Sequence, residues 1–250
     1  MGKYLGALLA VLAAAGIVFG VATVASYAGR TSPLMTGTAA GTDASTGLQH
    51  VTLNLQTYPF SPYEDPAFIQ SHVTGQSFHG FPYPGPGDNQ DWVLYWPTTS
   101  LQVPRHTLVT VTIENYDSAT PLLNPYYATP RGTMGNSMLV DGQTLTQQDP
   151  ANVSHTFTIH SIAQSTQPWL FVSVPLTAVA SDAKVDDAGM ALQPVVTTFS
   201  FITPDQPGNY IWQCFDPCGS QYNGFGGPMS TRGYMSGTFD VVQLDLLPPR

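Results

Sequence analysis

The chain alternates between apolar and polar positions in short runs, and those runs are separated by glycine and proline. His50-Val-Thr-Leu-Asn-Leu-Gln-Thr57 places Val51, Leu53 and Leu55 on one face, the two-residue period of a half-buried strand. The same pattern recurs at Trp92–Trp96, Thr107–Ile113, Val153–His160, Trp169–Val174, Val195–Phe201, Gly208–Gln213 and Gly237–Val242. Helical periodicity is almost missing; only Asp182–Met190 reads as a short helix. Tyr58–Asp88 is too rich in proline for a helix or a central strand. Pro121–Pro150 reads as a long insertion with Gly-Asn and Asp-Gly turn signals. Many short strands with such punctuation predict an all-β domain, a sandwich or a barrel, with no internal repeat.

The amino-terminal region differs from this pattern. Tyr4–Ala28 carries no charge, and about 25 apolar residues suffice to cross a hydrocarbon core of roughly 30 Å as a helix. The stretch is longer than the apolar part of an ordinary signal peptide, although Val24-Ala25-Ser26 would serve as a cleavage site. Residues 1–30 are therefore expected to be a single membrane anchor and 31–48, small and polar, a flexible linker. Residues 49–250 are expected to be one domain. Gly16-Ile-Val-Phe-Gly20 would let a second membrane helix approach closely. Lys3 and Arg30 nearly balance the positive-inside count. Orientation rests instead on the acidic residues, the two cysteines and the sequon Asn152-Val-Ser154, all beyond residue 30. The domain is expected outside, with the amino terminus cytoplasmic and Asn152 the candidate glycosylation site.

Charged residues make up only 9% of the chain, against about 25% in a typical soluble domain. An acidic exterior, where lysine and arginine charges would stand uncompensated, is one physical reason for such a surface. The formal net charge of −9 excludes nucleic acid and anionic lipid as natural partners. No spacing supports a Ser/His/Asp arrangement, a phosphate loop or paired catalytic carboxylates, so no catalysis is expected from this chain alone.

The candidate chemistry gathers late in the chain. Pro204-Asp-Gln-Pro-Gly-Asn-Tyr-Ile-Trp-Gln-Cys-Phe-Asp-Pro-Cys218 runs from a Pro-Gly turn through an aromatic strand to a cysteine pair, and Tyr234-Met-Ser-Gly opens the last strand. These segments resemble the cupredoxin family. Cys-x-x-x-Cys-Gly narrows the likeness to subunit II of haem–copper oxidases and to nitrous-oxide reductase, whose domain holds a dinuclear copper centre. The resemblance implies a Greek-key β-sandwich, with one amino-terminal transmembrane helix as in some oxidase families. It also implies a copper site in which His155 is the upstream ligand, Cys214 and Cys218 the thiolates and Met235 the methionine. Asp216 falls where the family offers a backbone carbonyl.

The match is incomplete. Tyr222 stands where the family has a second histidine and Phe225 where it has a methionine. Read with Asn223–Thr231 as an inserted loop, Met235-Ser-Gly matches the family's Met-x-Gly strand entry, but Arg232 then stands three residues before it, and no histidine follows His160. A blue-copper centre uses two imidazoles and a thiolate. Two thiolates, His155 and Met235 would still suit a single Cu(I). The plainer fate of two exported cysteines on one turn is a Cys214–Cys218 disulfide. His72 and His79, among prolines, read as exposed loop histidines, and the four tryptophans as packing. Three readings stay open. One is an oxidase subunit docked on a haem-containing integral-membrane complex, with a degenerate copper site. The others are a tethered mononuclear copper carrier and a non-redox extracellular binding module.

Overall fold

The computed structural model describes residues 34–59, 93–162, 166–187, 189–216, 228–230 and 232–244. Among these residues two β-sheets pack face to face as a sandwich, and helix is limited to single 3-10 turns. The first sheet runs β1 (Leu34–Thr36), β5 (Ser100–Pro104), β13 (Ser236–Val242), β12 (Gly208–Gln213), β9 (Val153–His160) and β10 (Phe171–Thr177). The second runs β2 (Thr38–Thr42), β3 (Gln49–Tyr58), β6 (Thr107–Asn115), β11 (Val195–Ile202), β7 (Met138–Val140) and β8 (Gln143–Leu145), with β4 (Leu94–Trp96) paired to β3. The expected all-β sandwich is therefore the observed architecture.

The alternation in the sequence builds the core directly. Val51, Leu53 and Leu55 of β3 and Val109, Val111 and Ile113 of β6 turn inward from one sheet. Phe157 and Ile159 of β9 and Phe239 and Val241 of β13 meet them from the other. Trp212 lies at the centre, fully buried. Its Nε1 donates to the carbonyl of Thr99 at 3.0 Å, and its ring meets Tyr95 edge-on at 4.6 Å. The indole thus fills volume without orphaning its one donor. Gly237 is required beside it: a Cβ there would lie 1.7 Å from the Thr99 carbonyl oxygen.

Three segments differ from the sequence-based expectation. Residues 34–42, expected to be part of a flexible linker, form β1 and β2. They are too short, and β2 too uniformly small, to carry a periodic signal, but their backbones pair with β5 and β3. Gly37, between them, lies against Val51 of one sheet and Val103 of the other, close enough that a Cβ would crowd both. Within the 121–150 insertion, Asp141 and Gly142, both at positive φ, close a hairpin between β7 and β8 that extends the second sheet. Two positive-φ residues are what a tight hairpin turn requires. Finally, the candidate helix at 182–190 is a turn, in which the Asp186 carboxylate accepts from Met190 N and Gly189 has a φ of +84°. An aspartate that binds nearby amides competes with helix formation. The anchor segment 1–30, His72, His79, Trp92, Cys218, Tyr222 and Phe225 lie outside the described residues. No helix long and apolar enough to cross a membrane occurs among the described residues.

Candidate functional site: a buried His–Asp–Cys cluster

At one end of the sandwich β6 and β12 stop and β9 and β13 begin. His155 is the third residue of β9 and shares its inward face with Phe157 and Ile159, so the strand's alternation buries it completely. Its Nε2 lies 3.0 Å from Oδ2 of Asp117, just beyond the end of β6 in the opposite sheet. The Asp117 carboxylate is itself held, because Oδ1 accepts from Ser118 N at 2.7 Å. Below it, the buried Asn115 donates to Ser154 Oγ and to the carbonyl of Thr177, both at 2.8 Å, and accepts from Thr57 Oγ1. These bonds tie the ends of β3, β6, β9 and β10 into one polar network around the ion pair.

Cys214 follows β12 and extends its pairing with β13, its amide donating to the carbonyl of Met235 at 2.9 Å. Its sulfur accepts from Thr156 N at 3.3 Å and donates to the carbonyl of Asp216 at 3.5 Å. It is also hydrogen-bonded to the His155 ring. Burial alone pushes the imidazole pKa down, but the bonds and charges of Asp117 and Cys214 outweigh it and hold the pKa at about 10. His155 is accordingly a buried imidazolium at neutral pH, compensated by a carboxylate and a sulfur. Asp216 has the opposite character. Both of its carboxylate oxygens are buried, with no hydrogen-bond partner among the described residues. Burial first, then the Cys214 charge, raises its pKa to about 7, with His155 pulling the other way.

Of the predicted ligands, His155 and Cys214 touch, and Met235 is buried with Cys214 in the same core cluster. Met229, which carried no sequence signal, joins that cluster. Cys218 lies outside the described residues. The other described histidines are engaged elsewhere: His50 with Thr110, His106 with Asp205, and His160 Nδ1 with the carbonyl of Ser161. No group of three or more His, Cys, Asp or Glu side chains among the described residues is disposed to hold a metal ion. Asn152 is exposed on its turn, while the Ser154 hydroxyl of the sequon is buried in the Asn115 network.

Asp117 was visible in the sequence only as the polar end of a strand. Its role depends on a partner 38 residues away in the other sheet. Nor did anything mark the carboxylate of Asp216; its carbonyl accepts from the Cys214 sulfur. A surface cavity of about 160 Å³, walled by Tyr116, Val179, Ala183, Val185 and Ala191, opens onto Asp117. No known protein-family model matches this chain, and no curated protein does.

Proposed function

We propose that the chain is a membrane-anchored, cupredoxin-like subunit of a respiratory electron-transfer complex, with a Greek-key sandwich on the outer side of the membrane. Its role in that complex is structural and docking rather than catalytic. The observation that carries the reading is the meeting of His155 and Cys214. They come from the two distant segments that resemble a cupredoxin ligand set, and they touch at one end of an all-β sandwich.

The donor set does not fit the family's copper centres. A blue-copper site needs two imidazoles, and His155 is the single described histidine in the cluster. Its Nε2 is held by Asp117, a carboxylate contact of the kind that also orients a metal-bound imidazole. No electron-transfer step through copper follows from these residues. What they do is lock the sandwich end, with one buried cation held between groups from both sheets.

Purification of the intact complex from membranes tests this reading. Stoichiometric co-purification with a haem-containing membrane complex, without a copper–thiolate absorption band, is the expected result. A chain that isolates alone would overturn it. Thiol titration of the same sample separates two free thiols from the Cys214–Cys218 disulfide expected from the sequence, and the Cys214 sulfur that donates to the Asp216 carbonyl favours the free thiol. A second reading, a tethered carrier of one soft copper ion, is favoured by Cys214, Met229 and Met235 sharing one buried cluster, with His155 against Cys214. Stoichiometric copper with a visible band would establish it.

A further inference from the structure

The direction of the first strands fixes which end of the domain meets the membrane. β1 runs parallel to β5, and β5 runs parallel to β13. β13 begins at the His155 end, so Leu34 lies at that end and β1 leads away from it. β2 continues in the same direction, antiparallel to β3, which returns toward Tyr58 and the His155 end. Since the chain is already strand at Leu34, only residues 29–33 separate it from the apolar run Tyr4–Ala28. Five residues reach at most about 18 Å when fully extended. The ten-residue β3 shows the length of the sandwich, roughly 33 Å at the usual rise per strand residue.

We infer that the His155 end rests on the lipid surface and that the opposite end, with Trp169, points away from it. The inference relies on the anchor reading proposed above. The surface at the His155 end suits a bilayer interface. Leu34, Leu123, Val185 and Leu192 are all more than half exposed there, although they belong to three separate segments. Apolar side chains of this kind enter the boundary between headgroups and acyl chains. Asp182, Asp186 and Asp187 stand beside Lys184 on the same rim, so the matching surface is zwitterionic lipid, because anionic lipid would be repelled. The cavity over Asp117 opens on this side, and the ion-pair cluster would face the membrane and anything embedded in it.

The full-length chain, inserted in phosphatidylcholine vesicles that carry a headgroup nitroxide, tests the orientation by tryptophan quenching. The reporter at the far end is Trp169, which is 76% exposed. The reporters at the near end are Leu192→Trp and, as a second site, Leu123→Trp, each combined with Trp169→Phe. Quenching several-fold stronger at the near-end reporters is expected, and a twelve-residue Gly/Ser insertion after Arg30 should remove the difference. Equal quenching in a chain that resists alkaline carbonate extraction would overturn the orientation alone. Release by carbonate would overturn the anchor reading, and the orientation with it.

Discussion

Among the described residues the sandwich carries two His–Asp pairs, one at each end, and they differ in everything except their chemistry. His106 and Asp205 meet at 2.6 Å with side chains 58% and 81% exposed. His155 and Asp117 meet at 3.0 Å with side chains 0% and 12% exposed. The shorter contact is the weaker one. Water solvates both exposed partners whether or not they touch, so such a pair contributes about 0–1 kcal/mol. At the buried end no solvent replaces a lost partner, and breaking the pair leaves a charge in a medium that cannot stabilise it. Distance ranks these two interactions in the wrong order, and burial ranks them correctly.

The sharpest way to break the comparison is to remove the buried cation. His155→Leu should destabilise the domain by about 3–5 kcal/mol in thermal or denaturant unfolding at neutral pH. It should also remove a pH dependence. The native imidazole has a pKa near 10 against an ordinary 6.5. The stability it confers is complete below the ordinary value and fades as pH rises toward the native one. The wild type should lose stability along that alkaline limb, and the variant should lack this contribution.

Asp216 gives a smaller effect with an acidic signature. Its carboxyl keeps its proton to about pH 7 in the native state, whereas the unfolded chain releases it near 3.8. The folded state binds the proton more tightly in that window, so stability falls as pH rises through it. Asp216→Asn should flatten the decline and raise the midpoint at pH 7 by about 3 °C, with little change at pH 3. A melting series across pH reads both outcomes. A steeper decline in the variant would mean that the carboxylate has a partner at neutral pH.

The smallest effect belongs to the exposed pair. Asp205→Asn should change stability by less than about 1 kcal/mol, and added salt should make even that vanish. A loss as large as that of His155→Leu would refute the view that burial, not contact, separates the two ends.

How much of this was legible beforehand varies by element. Val153–His160 and Gly208–Gln213 emerge with the expected bounds, because strongly alternating or aromatic strands state their own period. β1 and β2 were hidden, since β1 has only three residues and the Thr, Ala and Gly residues of β2 become a strand only when a sheet edge accepts their backbones. The two-residue hairpin turn was readable at Asp141-Gly142, but not that three residues on each side would join β11's sheet. Among the tryptophans, Trp212 packs in the core as expected, while Trp169 stands out in solvent. Trp169 just precedes β10, in a loop whose Gln167 side chain is tied to the Asn209 backbone of β12.

The sequence by itself determined the all-β class, the principal strands and the pairing of His155 with Cys214 as candidates, because alternation and strand-end cysteines are local signals. Tertiary structure alone decided what those residues became. Asp117 reaches His155 only because the end of β6 in one sheet lies against the start of β9 in the other. That contact, together with the Cys214 sulfur, raises the imidazole pKa and ties the two sheets together at this end. The same is true of the direction of β1, which no local signal carries: a strand's heading is defined by its neighbours, and here they set the cluster at the end where the chain enters the domain.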